Sequence, residues 1–137
     1  MQRFRNDNEE IGLEKIKAVV DEFYNRIQEH PTLAEPFQIV EDWPEHKDKL
    51  AHFWWLSLGG EPYANYQYNV GPLHMVLPIN DSHVEDWLEL FFEVMSKHIP
   101  EEQVDAWHGR AQNMGRSIKM MVAYHQQASQ QWQQNKQ

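Results

Sequence analysis

The 137-residue chain contains no cysteine, which excludes disulfides, zinc-thiolate centres, iron-sulfur clusters and cysteine nucleophiles. Positive charge is scarce. Twelve Lys and Arg face 21 Asp and Glu, and the formal net charge of −9 repels phosphate backbones and anionic lipid, so neither nucleic acid nor a membrane surface is an expected partner. Long apolar runs are also missing: none approaches the ~20 residues that span a bilayer. Met1-Gln2-Arg3-Phe4-Arg5-Asn6-Asp7 has no apolar core of the signal-peptide kind, so a cytoplasmic protein is expected. With only six glycines there is no phosphate-cradling glycine loop and no Gly-x-Ser-x-Gly nucleophile turn.

Large side chains are abundant. Six Trp, six Phe, five Tyr and six Met predict one domain with a bulky aromatic core. Apolar residues recur at three and four along Ile16, Val19, Val20, Phe23, Tyr24 and Ile27, which predicts a first helix from about Asp7 to His30, broken near Gly12, with Tyr24 turned inward. Thr32-x-x-Glu35 could cap a tight turn before Pro36, and Phe37 follows as an apolar anchor. A second helix begins at Trp43-Pro44 and stops at Gly59-Gly60, with Trp43, His46, Leu50, Phe53, Trp54 and Ser57 on one face. A third starts at Ser82-x-x-Glu85, with Val84, Trp87, Leu88, Phe91, Phe92 and Met95 inward, and ends near Ile99-Pro100. A fourth runs from Pro100 through Val104, Trp107, Ala111, Met114, Ile118, Met121 and Val122. The domain is expected over residues 1–125, followed at 126–137 by a disordered Gln-rich tail.

Between the second and third helices, Gly59 to Asp81 is a long segment with no helical pattern. Loops beyond ~12–15 residues are uncommon in compact domains unless they are functional or ordered by something else. His74 stands within it, in Gly71-Pro72-Leu73-His74-Met75-Val76-Leu77-Pro78, an apolar and proline-restricted setting suited to a single buried metal ligand. Taken singly, His74 reads as a packed loop histidine, and Tyr24 and Trp87 as ordinary core residues. Eight histidines invite metal templates, but no Glu stands three before any His and no two His are four apart, so di-iron bundle and helical two-His zinc sites are absent. What survives is a cofactor needing one His and a large apolar slot. Haem fits, because its porphyrin supplies four nitrogens and leaves one position for a proximal imidazole.

Phe23-Tyr24, Phe37, Trp43-x-x-His46-Lys47-x-x-Leu50-x-x-Phe53-Trp54, His74-x-x-Leu77-Pro78 and Trp87-Leu88-x-Leu90-Phe91, in that order, resemble the truncated haemoglobins, and most closely their third group. The resemblance extends from about Leu13 to Tyr124. Leu58-Gly59-Gly60-Glu61-Pro62 is similar to the glycine-rich turn of the second group, but that group places its proximal His nearer the Pro, where Val76 stands here. The resemblance implies an all-α, globin-like two-on-two helical sandwich around haem. It places the proximal ligand on His74, the distal tyrosine on Tyr24, the distal His on His46 and the pocket-closing tryptophan on Trp87. Phe37, Leu50, Phe53, Trp54 and Leu77 would wall the cofactor, and Lys49 could reach a propionate or remain solvated. Without a Cys-x-x-Cys-His motif the cofactor would be haem b, iron protoporphyrin IX, held non-covalently.

The function this implies is reversible dioxygen binding, with CO and NO as further ligands and a reductase where nitric oxide or peroxide is consumed. Dioxygen draws negative charge on ferrous haem, so phenol, indole and imidazole donors suit it. Each such bond is worth ~1.5–3 kcal/mol when the acceptor is charged. The alternative is a cofactor-free helical interaction domain whose aromatics only fill a core. His30, His52, His83, His98, His108 and His125 are assigned to surface or packing roles.

Overall fold

The computed structural model describes residues 7–39, 42–66 and 79–135, with side chains described up to residue 124. Among the described residues, five α-helices and one 3-10 turn make up the regular structure, with no strand. Helix α1 (Asp7–Ile11) is separated from α2 (Leu13–Ile27) by Gly12, whose φ of +86° is accessible to glycine at little cost. The expected face of α2 is the observed one: Ile16, Val19, Val20, Phe23, Tyr24 and Ile27 are all buried. The helix ends at Ile27, short of His30, because His30 Nδ1 accepts the backbone N–H groups of Thr32 and Leu33 and turns the chain. The 3-10 turn (Pro36–Ile39) follows and carries Phe37.

Helix α3 (Trp43–Ser57) starts where the sequence places it. Asp42 caps it by accepting the N–H of Glu45 at 3.1 Å, and Pro44 occupies the first turn, where a missing N–H costs no helical bond. Its burial is shallow. Trp54 is fully buried, but Trp43, His46, Leu50 and Phe53 are only half-buried. Within its last two turns, His52 is buried, accepts the N–H of Tyr63 at Nε2 (3.2 Å) and stands perpendicular to the Tyr63 ring, drawing the chain after Gly60 back onto the helix.

Helix α4 (Asp81–His98) corrects the expected start. Its cap is Asn80 with His83, not Ser82 with Glu85: the Asn80 side chain accepts the His83 N–H, and His83 Nδ1 accepts the Asn80 N–H. An imidazole here does what Glu does in the usual capping box. The inward face also differs from expectation, with Leu90 and Val94 buried, Leu88 half-buried and Phe92 47% exposed. Helix α5 (Glu101–Asn135) continues through the Gln-rich stretch where a frayed end was expected. Glutamine is among the better helix formers, so composition that argues against a core does not argue against a helix. Gly115 lets α5 approach α4 closely, since a Cβ there would lie 3.1 Å from Val84 and 3.2 Å from Leu88.

Helix α2 packs on α3, α4 packs on α5, and α2 lies against α4, joining the pairs into the two-on-two sandwich. The join is aromatic. Phe23 and Phe91 stack with centroids 4.3 Å apart and planes 8° from parallel, and Phe91 also meets Trp54, Trp87 and Trp107 at 5.4–5.6 Å. Outside this core, Glu22 on α2 is bonded by Lys97 (2.9 Å) and His98 (3.1 Å) of α4. Lys97's hydrogen bond holds the Glu22 carboxyl below the ordinary glutamate range against the opposing effect of partial burial, and His98 adds to it. Phe91→Ala should cost about 3–5 kcal/mol, the range for deleting a fully buried aromatic. Urea unfolding should show a lower midpoint at unchanged slope, and a cost under about 1 kcal/mol would mean that Phe91 is not the hub.

Candidate functional site

Tyr24 occupies the last full turn of α2, one residue after the stacked Phe23, and is 3% exposed. Four rings surround it: Phe23 at 4.8 Å, Phe37 at 6.3 Å, Trp43 at 5.7 Å and His46 at 5.8 Å, the last at an interplanar angle of 88°. Trp87 comes from α4, one turn before Phe91, and meets Phe23 edge-on at 5.7 Å, beside Tyr24. Burial pushes the phenol well above its usual value of 10.0, and hydrogen bonding from the Trp87 indole works the other way. The phenol therefore stays protonated, and a donor, throughout the neutral range. His46, half-buried on the first turns of α3, completes the cluster with Trp43 at 5.6 Å.

Beside this cluster lies an open cleft lined by Leu33, Phe37, Ile79, His83, Val84, Trp87 and Ile118. Phe37 and Trp87 belong to both. The arrangement is an apolar slot with polar donors gathered at one end, next to a helix face of large side chains that the protein itself only half covers. A flat apolar macrocycle carrying a small polar ligand suits such walls. Among the described residues no three His, Cys, Asp or Glu side chains gather as a metal site.

Of the residues singled out in the sequence, Tyr24, Phe37, His46 and Trp87 come together directly. Leu50 and Phe53 lie further along the same half-buried face of α3. Trp54 turns away into the core against Phe91 and Trp107, and its indole N–H is buried without a hydrogen-bond partner among the described residues. Lys49 is 40% exposed and sits 3.5 Å from Glu45, one turn back. His74 and Leu77 lie outside the described residues. Sequence reasoning passed over Trp43 as a site residue and His83 as a cleft residue. Trp43 had a signal, standing three before His46 on the same face; His83 had one in its spacing from Asn80.

The match to known proteins agrees with this fold. Residues 8–125 fit the family model of the bacterial-like globins, and the chain belongs to that family. Among its relatives it is similar to the group 3 truncated hemoglobin ctb of Campylobacter jejuni, 31% identical over 122 residues that cover 83% of this chain and 93% of that protein. The crystal structure of group III truncated hemoglobin from Campylobacter jejuni aligns with a TM-score of 0.72 at 30% identity, covering 82% of this chain and 91% of that one. The truncated oxygen-avid haemoglobin from Bacillus subtilis also aligns with a TM-score of 0.72, at 27% identity, covering 82% and 97%. Haem binding follows from the family, in place of a cofactor-free interaction domain. No helix among the described residues is long and apolar enough to cross a membrane.

The buried phenol gives a direct test. Wild type and Tyr24→Phe should develop the same tyrosinate absorbance up to about pH 10.5, because Tyr24 is not among the groups that ionise near the ordinary tyrosine value. A smaller signal from the variant in that range would show that Tyr24 titrates as an exposed phenol.

Proposed function

We propose that this globin holds one haem b, iron protoporphyrin IX, non-covalently and binds dioxygen reversibly, with carbon monoxide and nitric oxide as further ligands. The observation that carries this reading is the convergence of Tyr24, His46 and Trp87, from three helices, at one end of an apolar cleft. When bound, haem would supply a redox-active iron that a protein imidazole could hold and a diatomic ligand could reach. His74 is the proposed imidazole, with Leu77 on the same side. Phe37, Leu50 and Phe53 would flank the macrocycle, Trp54 would back that wall from the core, and Lys49 would exchange its contact with Glu45 for a propionate.

The distal residues divide the work by their surroundings. The protonated Tyr24 phenol has one O–H to donate, and it is available to a ligand atom in the pocket. Trp87 is the second donor. His46, nearer solvent, is a mobile gate and a secondary donor. Both Tyr24 and Trp87 carry their polar ends into the interior, where each needs a partner, and a partly negative ligand atom serves both. The oxygen-avid description of the Bacillus subtilis relative supports this reading. The same donors suit nitric oxide oxidation or reaction with peroxide, with an external reductase renewing the ferrous state.

Two measurements test the proposal. His74→Gly should lose the five-coordinate ferrous spectrum and regain it with added imidazole; an unchanged spectrum would remove His74 from the axial position. Tyr24→Phe and Trp87→Phe should each speed oxygen dissociation by about ten-fold or more, as expected for one hydrogen bond to a charged acceptor. Carbon monoxide gathers little charge, so its release should change far less. Equal changes for the two gases would mean that these side chains act by packing alone.

A further inference from the structure

Trp43 is the first residue of α3, and His46 stands three positions on, on the same face of the helix. Their rings are 5.6 Å apart and nearly perpendicular, at 84°. Each also touches Tyr24, Trp43 at 5.7 Å and His46 at 5.8 Å, so the three rings close a triangle with the imidazole in the corner between two larger aromatics. Tyr24 is fixed by burial. The backbone under the other two is fixed as well, because the His46 N–H donates to Asp42 O at 3.0 Å, the Asp42 side chain accepts from Glu45, and Pro44 restricts φ between them.

A second clasp holds this turn at the level of Tyr24. Lys47 Nζ donates to Asp21 Oδ1 at 2.9 Å and to Asn25 Oδ1 at 2.7 Å, residues three before and one after Tyr24 on α2. The start of α3 therefore cannot drift from α2 while that clasp is closed. For the His46 imidazole to leave for solvent by a change of rotamer, it has to give up both ring contacts.

We propose that Trp43 is a positioning residue for His46: it latches the imidazole closed against Tyr24 and thereby sets how often a ligand can enter the distal pocket. This rests on the reading of His46 as the gate. One aromatic contact shifts a two-state population by about two- to ten-fold, so removing Trp43 should raise the open fraction, and with it the rate of entry, by that factor. A ligand leaves by the path it enters, so release should rise by a similar factor while the affinity set by Tyr24 and Trp87 is nearly unaffected. Trp43→Phe, which keeps a ring, should lie between wild type and Trp43→Leu.

The test uses the haem-reconstituted full chain. In the diamagnetic ferrous carbon monoxide complex, proton NMR should show nuclear Overhauser contacts between the His46 and Trp43 rings, and Trp43→Leu should move the His46 ring resonances toward those of solvent-exposed histidines. Carbon monoxide association after flash photolysis should speed about two- to ten-fold in Trp43→Leu. His46→Leu should speed it too, and adding Trp43→Leu to His46→Leu should bring no further gain. If His46→Leu speeds entry while Trp43→Leu changes neither entry nor the His46 resonances, the latch is overturned and the gate stands. If Trp43→Leu still speeds entry in the His46→Leu background, Trp43 blocks the path by itself and the latch is again overturned. If neither variant alters entry, the gate and the latch both fall, while haem uptake through His74 is judged by its own spectrum.

Discussion

The stack of Phe23 on Phe91 is the contact on which the rest of this molecule depends. It is the point where α2, from one helix pair, meets α4, from the other, and both rings are fully buried. Parallel rings at 4.3 Å leave little freedom in how the helices slide past each other. Tyr24 is the next residue after one ring, and Trp87 lies one helical turn before the other. Setting the stack therefore sets the phenol opposite the indole, so the distal donors are placed by core packing and not by a loop.

That placement explains why much of the site could be read from the chain. Tyr24 and Trp87 occupy stripes with helical spacing, so their inward direction follows from periodicity, and Phe37 follows from its place after Pro36. Other features were illegible for identifiable reasons. Trp87-Leu88-x-Leu90-Phe91-Phe92 is apolar almost all round, and a run without contrast does not reveal its phase, which is why Leu90 is buried and Phe92 exposed against expectation. Ser82-x-x-Glu85 and Asn80-x-x-His83 both satisfy capping chemistry, and only the fold decides between them. A half-buried tryptophan at a helix start looks like ordinary packing until its partners are known. That was the case for Trp43.

The two pairs of helices differ in how completely they are finished. The inward face of α2 is covered on all sides, whereas the corresponding face of α3 leaves Trp43, His46, Leu50 and Phe53 part in solvent. The interior also carries an electrostatic burden, since the indole N–H groups of Trp54 and Trp107 are buried without hydrogen-bond partners among the described residues. An unpaired donor of this kind costs about 1–3 kcal/mol. Each of these indoles meets aromatic rings edge-on at 5.4–6.0 Å. The core thus uses large aromatic area to carry polar ends that an aliphatic core would not contain.

Gly115 lies on α5, away from the distal cluster, yet its missing side chain fixes where one wall of the cleft stands. A methyl at that position would press on Val84 and Leu88 at 3.1–3.2 Å, and Val84 is itself a cleft residue. Sequence drift at the three positions is consequently ordered: a larger residue at 115 requires a smaller one at 84 or 88 first, or else the helices must part. Shrinking Val84 would widen the cleft, and parting the helices would shift its rim. The width of the cleft is therefore inherited from the spacing of two helices, and can change over generations through a residue that never meets the ligand.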